Sequence, residues 1–103
     1  MEFKSDTIKM LKEQFDLIIN IEEDVEFWYA RDLQERLGYT EWRNFEDVIN
    51  KAMIACKNSG FQVIDHFVKV NKMVGIGSEA KRKIEDYKLT RYACYLIAQN
   101  GAW

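Results

Sequence analysis

The sequence predicts a small α+β domain that is mostly helical, with a helix-turn-helix-like pair and a β-hairpin wing. The first reason is size, because 103 residues, 48% of them apolar, suffice for one hydrophobic core. The second is a helical period that continues from Trp42 to Cys56. The third is a change of period after Phe67, where Val68 and Val70 alternate with polar residues as in a strand.

The first helix is predicted over residues 5–19, where apolar side chains recur at steps of three and four. The acidic residues 22–24 that follow predict a solvated link. We therefore divide the chain into an acidic amino-terminal helix and link, residues 1–26, and a domain over residues 27–103. The two parts are expected to form a single compact unit.

The helix-turn-helix-like pair is predicted around Gly38 and Thr40. A strand or extended segment at 27–29 leads into a short helix at 30–37, which Gly38 can end in the left-handed conformation. Thr40 is placed to cap the long helix, which is predicted to extend through residue 57.

The wing is predicted in the second half of the chain. Residues 61–67 are expected to form one helical turn, and a strand with Val68, Val70, Val74 and Ile76 follows. A second strand is predicted over residues 83–87, which leaves a long basic tip between the strands. Thr90 is placed to cap a last helix that ends near Asn100.

The residues give little support for an enzyme, a cofactor or a metal. His66 is the only histidine, and we interpret it as a structural hydrogen-bonding residue. Cys56 and Cys94 lie far apart, fit no metal-ligand spacing and are expected to be buried, reduced thiols. No apolar run approaches the ~18 residues of a membrane span. We therefore expect a cytoplasmic, non-enzymatic protein without membrane contact.

The charges are distributed unevenly along the chain. The net charge is -2, but residues 1–26 carry a net -5 and residues 68–103 a net +4. Such a split indicates an anionic partner for one surface.

The candidate contacts are the groups that bind phosphates and base edges. Basic side chains cluster at the predicted hairpin tip and on its flanks, where a serine adds a neutral donor: Lys81, Arg82 and Lys83, with Lys72, Arg91 and Ser78. A second pair, Arg43 and Asn44, lies at the start of the long helix, where free N–H groups favour phosphate. A solvated charged loop and ordinary helix-start polarity are the alternative interpretations.

Several segments resemble the bacterial DNA-damage-inducible protein D family in order and spacing. They include residues 30–34, 37–39, 42–45, 58–60, 65–67 and, as the most specific block, Arg91-Tyr92-Ala93-Cys94-Tyr95-Leu96-Ile97-Ala98-Gln99-Asn100-Gly101. The match extends from about Phe27 to Gly101. This region of the family is similar to the BRO amino-terminal domain of phage antirepressors and baculovirus repeated-ORF proteins.

The resemblance implies a DNA-binding module of a protein induced in the SOS response, with an effect on recombinase filaments on single-stranded DNA. Two departures stand out. Glu79 replaces the small residue expected between Ser78 and Ala80, and it adds negative charge beside the basic tip. Family members also continue past Gly101 into a further large region, so this sequence is expected to be a domain of a longer protein or a short relative.

Two alternatives to direct DNA contact remain. The acidic helix or the aromatic surface could dock a recombinase or a second copy of the chain, which makes a protein-interaction module. The domain could also serve only as a scaffold for the further region. The form of DNA, single- or double-stranded, is left open.

Overall fold

Four helices pack on one face of a four-stranded antiparallel sheet. The computed structural model describes residues 5–77 and 79–101. In chain order the elements are α1 Ser5–Asp16, β1 Asn20–Glu22, β2 Val25–Tyr29, α2 Ala30–Arg36, α3 Trp42–Asn58, a 3₁₀ turn Val63–Asp65, β3 Phe67–Gly75, β4 Lys81–Leu89 and α4 Arg91–Asn100.

The sheet has the strand order β1-β2-β4-β3, and its longest ladder joins β3 to β4. That ladder begins at the Phe67–Leu89 pair and ends at the Gly75–Lys81 pair. In contrast, β2 pairs with β4 only at Lys88 and Leu89. Most of the β3–β4 hairpin therefore has no neighbouring strand on the β4 side.

The core lies between the helices and one face of the sheet. Because side chains alternate along a strand, Trp28, Phe67, Tyr87 and Leu89 share this face, and all four are buried. Each of the four helices contributes buried side chains to the core: Leu11, Phe15, Leu33, Phe45, Ile49 and Ile97. The indole N–H of Trp28 donates to the Phe15 carbonyl oxygen at 2.9 Å, which ties β2 to α1.

The α+β class is confirmed, whereas a mostly helical domain is not, because four strands form a complete layer. The short strand predicted at 27–29 is β2, and β1 before it was not predicted. Residues 37–41 join α2 to α3, and this succession alone does not confirm a helix-turn-helix. No described helix is long and apolar enough to cross a membrane.

Several predicted helix boundaries are confirmed, and one predicted cap is wrong. Gly38 has a φ of 83° after α2, and Gly60 has a φ of 87° after α3. The Thr90 side chain accepts a hydrogen bond from the Ala93 N–H at the start of α4. Thr40 does not cap α3, because Glu41 occupies the capping position and its side chain makes no capping hydrogen bond.

The predicted acidic link is a tight hairpin turn instead. Glu22 pairs with Val25 across β1 and β2, so Glu23 and Asp24 form a two-residue loop. Their φ angles of 51° and 65° lie in the left-handed region, as a type I′ turn requires at both positions. Such turns are favoured in two-residue hairpins because their twist matches the right-handed twist of the flanking strands. Three acidic residues in succession give no signal for such a turn.

Candidate nucleic-acid interface

The β3–β4 hairpin, residues 67–89, projects from the body of the domain. Near its base, the Arg31 Nε donates to the Glu85 carbonyl oxygen at 2.9 Å, and Trp42 stacks on Tyr87 with ring centroids 6.3 Å apart. Between the Lys72–Ile84 pair and the tip, the described residues of the hairpin make no ion pair or side-chain hydrogen bond with another element. The overall dimensions of 47 × 32 × 26 Å agree with one projecting arm.

The basic segment, Lys81-Arg82-Lys83, forms the start of β4 and not the hairpin tip. It pairs with Gly75, Val74 and Met73 of β3, so the predicted long tip is shorter and the predicted strand longer. The start of this strand was not predicted, because its exposed residues show no alternation of apolar and polar side chains.

All three cations of the basic segment are exposed, and none has an ion-pair partner among the described residues. Alternation along the strand places Lys81 and Lys83 on one face of the hairpin and Arg82 on the opposite face. Both flat faces of the hairpin end therefore carry free positive charge.

Lys72, a predicted phosphate contact, forms an ion pair with another residue of the same hairpin. Its Nζ lies 2.8 Å from Oδ2 of Asp86 and 3.5 Å from the centroid of the Tyr29 ring. Its side chain is 30% exposed, and its charge is neutralised within the hairpin.

Asp86 is the buried anion that organises the hairpin base. Its side chain is fully buried, and Oδ1 accepts from the Arg31 N–H at 3.0 Å and the Tyr87 N–H at 2.8 Å. Arg31 is the second residue of α2, where backbone N–H groups have no partner within the helix. A carboxylate from β4 thus stabilises the start of α2 and replaces a side-chain cap.

Arg91, the other flanking cation, joins three elements of the body. Its Nε and Nη2 donate to the two carboxylate oxygens of Glu26 at 2.9 and 3.1 Å, and Asp16 lies 3.6 Å from Nη2. The hydrogen bonds with Glu26 raise the pKa of the guanidinium above its usual value. The structure gives Arg91 a structural role between α4, β2 and α1.

Arg43 and Asn44 lie exposed on the first turn of α3, beside the base of the hairpin. Trp42 connects the start of α3 to the base of the hairpin. Its ring contacts both Tyr87 and the guanidinium of Arg31, whose Cζ is 3.8 Å from the ring centroid. The same helix start also carries acidic side chains: Glu41, Glu46 and Asp47. They weaken its attraction for phosphate.

The tip itself contains residues of mixed character. Ser78, a predicted phosphate contact, lies outside the described residues. Glu79 is exposed with a φ of 60°, and the Ile76 N–H closes the loop by donating to the Ala80 carbonyl oxygen at 3.2 Å. Ile76 is 60% exposed.

The remaining polar and sulfur groups belong to the packing of the body. His66 Nδ1 lies 2.7 Å from the Thr90 hydroxyl oxygen, which gives His66 the structural hydrogen-bonding role that the sequence predicts. Cys56 and Cys94 are free and buried, and burial raises the pKa of each thiol. Among the described residues, no three His, Cys, Asp or Glu side chains lie close enough to hold a metal ion.

Sequence reasoning missed the aromatic pair on the open face of the sheet. Phe27 and Tyr29 point away from the core and contact each other edge to face, with centroids 5.3 Å apart. A lysine lies over each ring: Lys88 Nζ is 4.7 Å from the Phe27 centroid, and Lys72 covers Tyr29. The alternation in Val25–Tyr29 was the available signal, because it puts Trp28 on the other face.

Residues 16–102 match the model of the BRO family, N-terminal domain, and the chain belongs to this family. The expected resemblance is thereby confirmed. The curated relatives include DNA damage-inducible protein D of Escherichia coli strain K12, which is 53% identical over 76 residues. The alignment covers 74% of this chain and 28% of that protein. No solved structure matches the chain.

Proposed function

We propose that this chain is a non-enzymatic DNA-binding module that contacts the phosphate backbone through Lys81, Arg82 and Lys83. The observation that supports this function is the exposure of three consecutive, unpaired cations on a projecting hairpin. Each phosphate that a cation neutralises releases condensed counterions, so a small number of such contacts gives strong, salt-dependent binding.

The other predicted contacts contribute unequally in this proposal. Arg43 and Asn44, on the second helix of the helix-turn-helix-like pair, supply contacts to a groove beside the hairpin. Ser78 adds a neutral donor at the tip. Lys72 and Arg91 reach DNA less readily, since each would first have to leave a carboxylate in the protein. Their main part is to hold the hairpin and α4 in place.

The biological setting is proposed from the relative. DNA damage-inducible protein D is named for its induction by DNA damage, and 76 residues of this chain align with it. We place this chain in the bacterial cytoplasm, in the response to DNA damage (SOS), with an effect on recombinase filaments.

The test compares two triple variants that lose the same charge. Lys81→Ala/Arg82→Ala/Lys83→Ala removes the basic segment, and Lys12→Ala/Lys51→Ala/Lys57→Ala removes exposed lysines of α1 and α3. Fluorescence anisotropy at low salt measures binding to a short labelled duplex and to a single strand. The hairpin variant is expected to lose roughly tenfold or more in affinity, and the control much less. Equal losses in the two variants would exclude the hairpin as the contact.

A second candidate function, protein interaction, is favoured by the β1–β2 hairpin. Its turn carries Glu22, Glu23 and Asp24, and two apolar side chains beside them are largely exposed, Ile21 at 68% and Val25 at 64%. This surface would dock a recombinase or a second copy of the chain. Recombinase pull-down without DNA, lost in Ile21→Ser/Val25→Ser and retained after charge reversal at Arg82 and Lys83, would support this function over DNA contact.

A further inference from the structure

We propose that the β3–β4 hairpin enters the major groove of double-stranded DNA, with Ile76 against the base edges. This inference deepens the proposed DNA-binding function and rests on it. It names the form of DNA, the groove and the residue that contacts the bases. The inference is based on one juxtaposition: Ile76 is an exposed apolar side chain at the tip, and free cations lie next to it on both faces of the hairpin.

The distribution of charge favours a duplex over a single strand. Lys81 and Lys83 point to one side of the hairpin and Arg82 to the other. A single phosphate backbone could be met by only one of these faces. A groove has a phosphate backbone along each wall, so a hairpin that enters it directs Lys81 and Lys83 to one strand and Arg82 to the other.

The dimensions favour the major groove. Three residue pairs, Met73–Lys83 to Gly75–Lys81, lie between the hairpin tip and Lys72, whose ammonium contacts the Tyr29 ring of β2. At about 3.3 Å per residue they extend roughly 10 Å, and the tip loop adds to this reach. The major groove is about 8.5 Å deep and about 12 Å wide, and it admits a two-stranded β-ribbon, whereas the minor groove is about 6 Å wide.

The tip has the chemistry of base-edge contact. Ile76 lies between Gly75 and Gly77, and a Cβ on either glycine would meet nothing within 4 Å. The isoleucine side chain, 60% exposed, therefore stands free at the end of the arm. In the major groove an apolar side chain can contact the C5-methyl group of thymine. Glu79 is exposed, and a phosphate would repel its carboxylate. In the major groove, however, this carboxylate can accept a hydrogen bond from the amino group of cytosine.

Replacing thymine by uracil tests this directly, because it removes only the major-groove methyl groups. Wild-type protein is expected to bind an A·T-rich duplex about fourfold more tightly than its uracil counterpart, the effect of burying one methyl group. Ile76→Ala is expected to bind both duplexes alike. Ile64→Ala is the matched control, since Ile64 is 72% exposed and lies outside the hairpin; it should keep the wild-type preference.

The outcomes separate this inference from the function on which it rests. Duplex binding that is insensitive to the methyl groups, or that Ile76→Ala leaves equally sensitive, would overturn the major-groove assignment alone. Displacement of the protein by netropsin, a ligand of the minor groove, would also overturn the major-groove assignment. So would a preference of the protein for single-stranded over double-stranded DNA. Absence of any binding to duplex at low salt would overturn both the assignment and the proposed DNA-binding function.

Discussion

Asp86 is a buried charge at the base of the hairpin whose free end carries the exposed basic segment. Its Oδ1 accepts from two backbone N–H groups, and the ammonium of Lys72 forms an ion pair with Oδ2 at 2.8 Å. These partners offset the free-energy cost of burying the carboxylate, and removing one member of the ion pair leaves the other charge unpaired. The position of the free hairpin end relative to the body thus depends on a residue that itself contacts no ligand.

We expect Asp86→Ala to destabilise the fold by about 3–5 kcal/mol, because it leaves Lys72 Nζ and the Arg31 N–H without their acceptor. Asp86→Ala/Lys72→Met, which removes both charges, should recover part of this loss. Urea unfolding followed by tryptophan fluorescence gives the free energy of unfolding. A loss below about 1 kcal/mol in Asp86→Ala would contradict the role given to the buried pair.

The two thiols are expected to be chemically inert in the folded chain. Cys56 and Cys94 are buried, and burial raises the pKa of both, which suppresses the reactive thiolate. At mildly alkaline pH, Ellman's reagent should label neither cysteine until denaturant is added. Rapid stoichiometric labelling of the native protein would show that the core opens more readily than the packing indicates.

At the level of elements, the sequence predicts the helices better than the strands. Gly38 and Thr90 mark real boundaries because a left-handed glycine and a hydroxyl cap act locally. The β1–β2 hairpin escapes prediction, since its strand is three residues long and its turn contains neither Asn nor Gly. The burial of Asp86 is also not predictable from the sequence, because its partner Arg31 lies 55 residues away in the chain. The candidate site residues are predicted from their charge, whereas their ion-pair partners depend on tertiary structure.

The turn at Glu23-Asp24 holds two side-chain-bearing residues at positive φ, and it also concentrates negative charge. Glu23→Asn/Asp24→Gly replaces them with the pair that such turns favour and should stabilise the fold by about 1 kcal/mol. Thermal or urea unfolding would measure this gain. Unchanged or reduced stability would indicate that the acidic side chains make a favourable contribution that outweighs the backbone strain.

Over the whole molecule, negative and positive charge are concentrated on two different hairpins, which form the two sides of the sheet. The β1–β2 turn is acidic, and the start of β4 is basic and projects from the body. The net charge of -2 is the sum of these surfaces and does not describe either one. If the proposed function holds, long-range attraction to DNA depends on the orientation of the protein, with the basic hairpin towards the DNA and the acidic turn away from it.

The central claim is that Lys81, Arg82 and Lys83 neutralise phosphates. The most direct measurement is the slope of the logarithm of the binding constant against the logarithm of salt concentration, for wild type and the hairpin triple variant on duplex DNA. Each lost phosphate contact should reduce the slope by about 0.9, so the variant should be shallower by roughly 2 to 3. The α1 and α3 lysine variant should keep the wild-type slope. Equal slopes for wild type and the hairpin variant would contradict the claim.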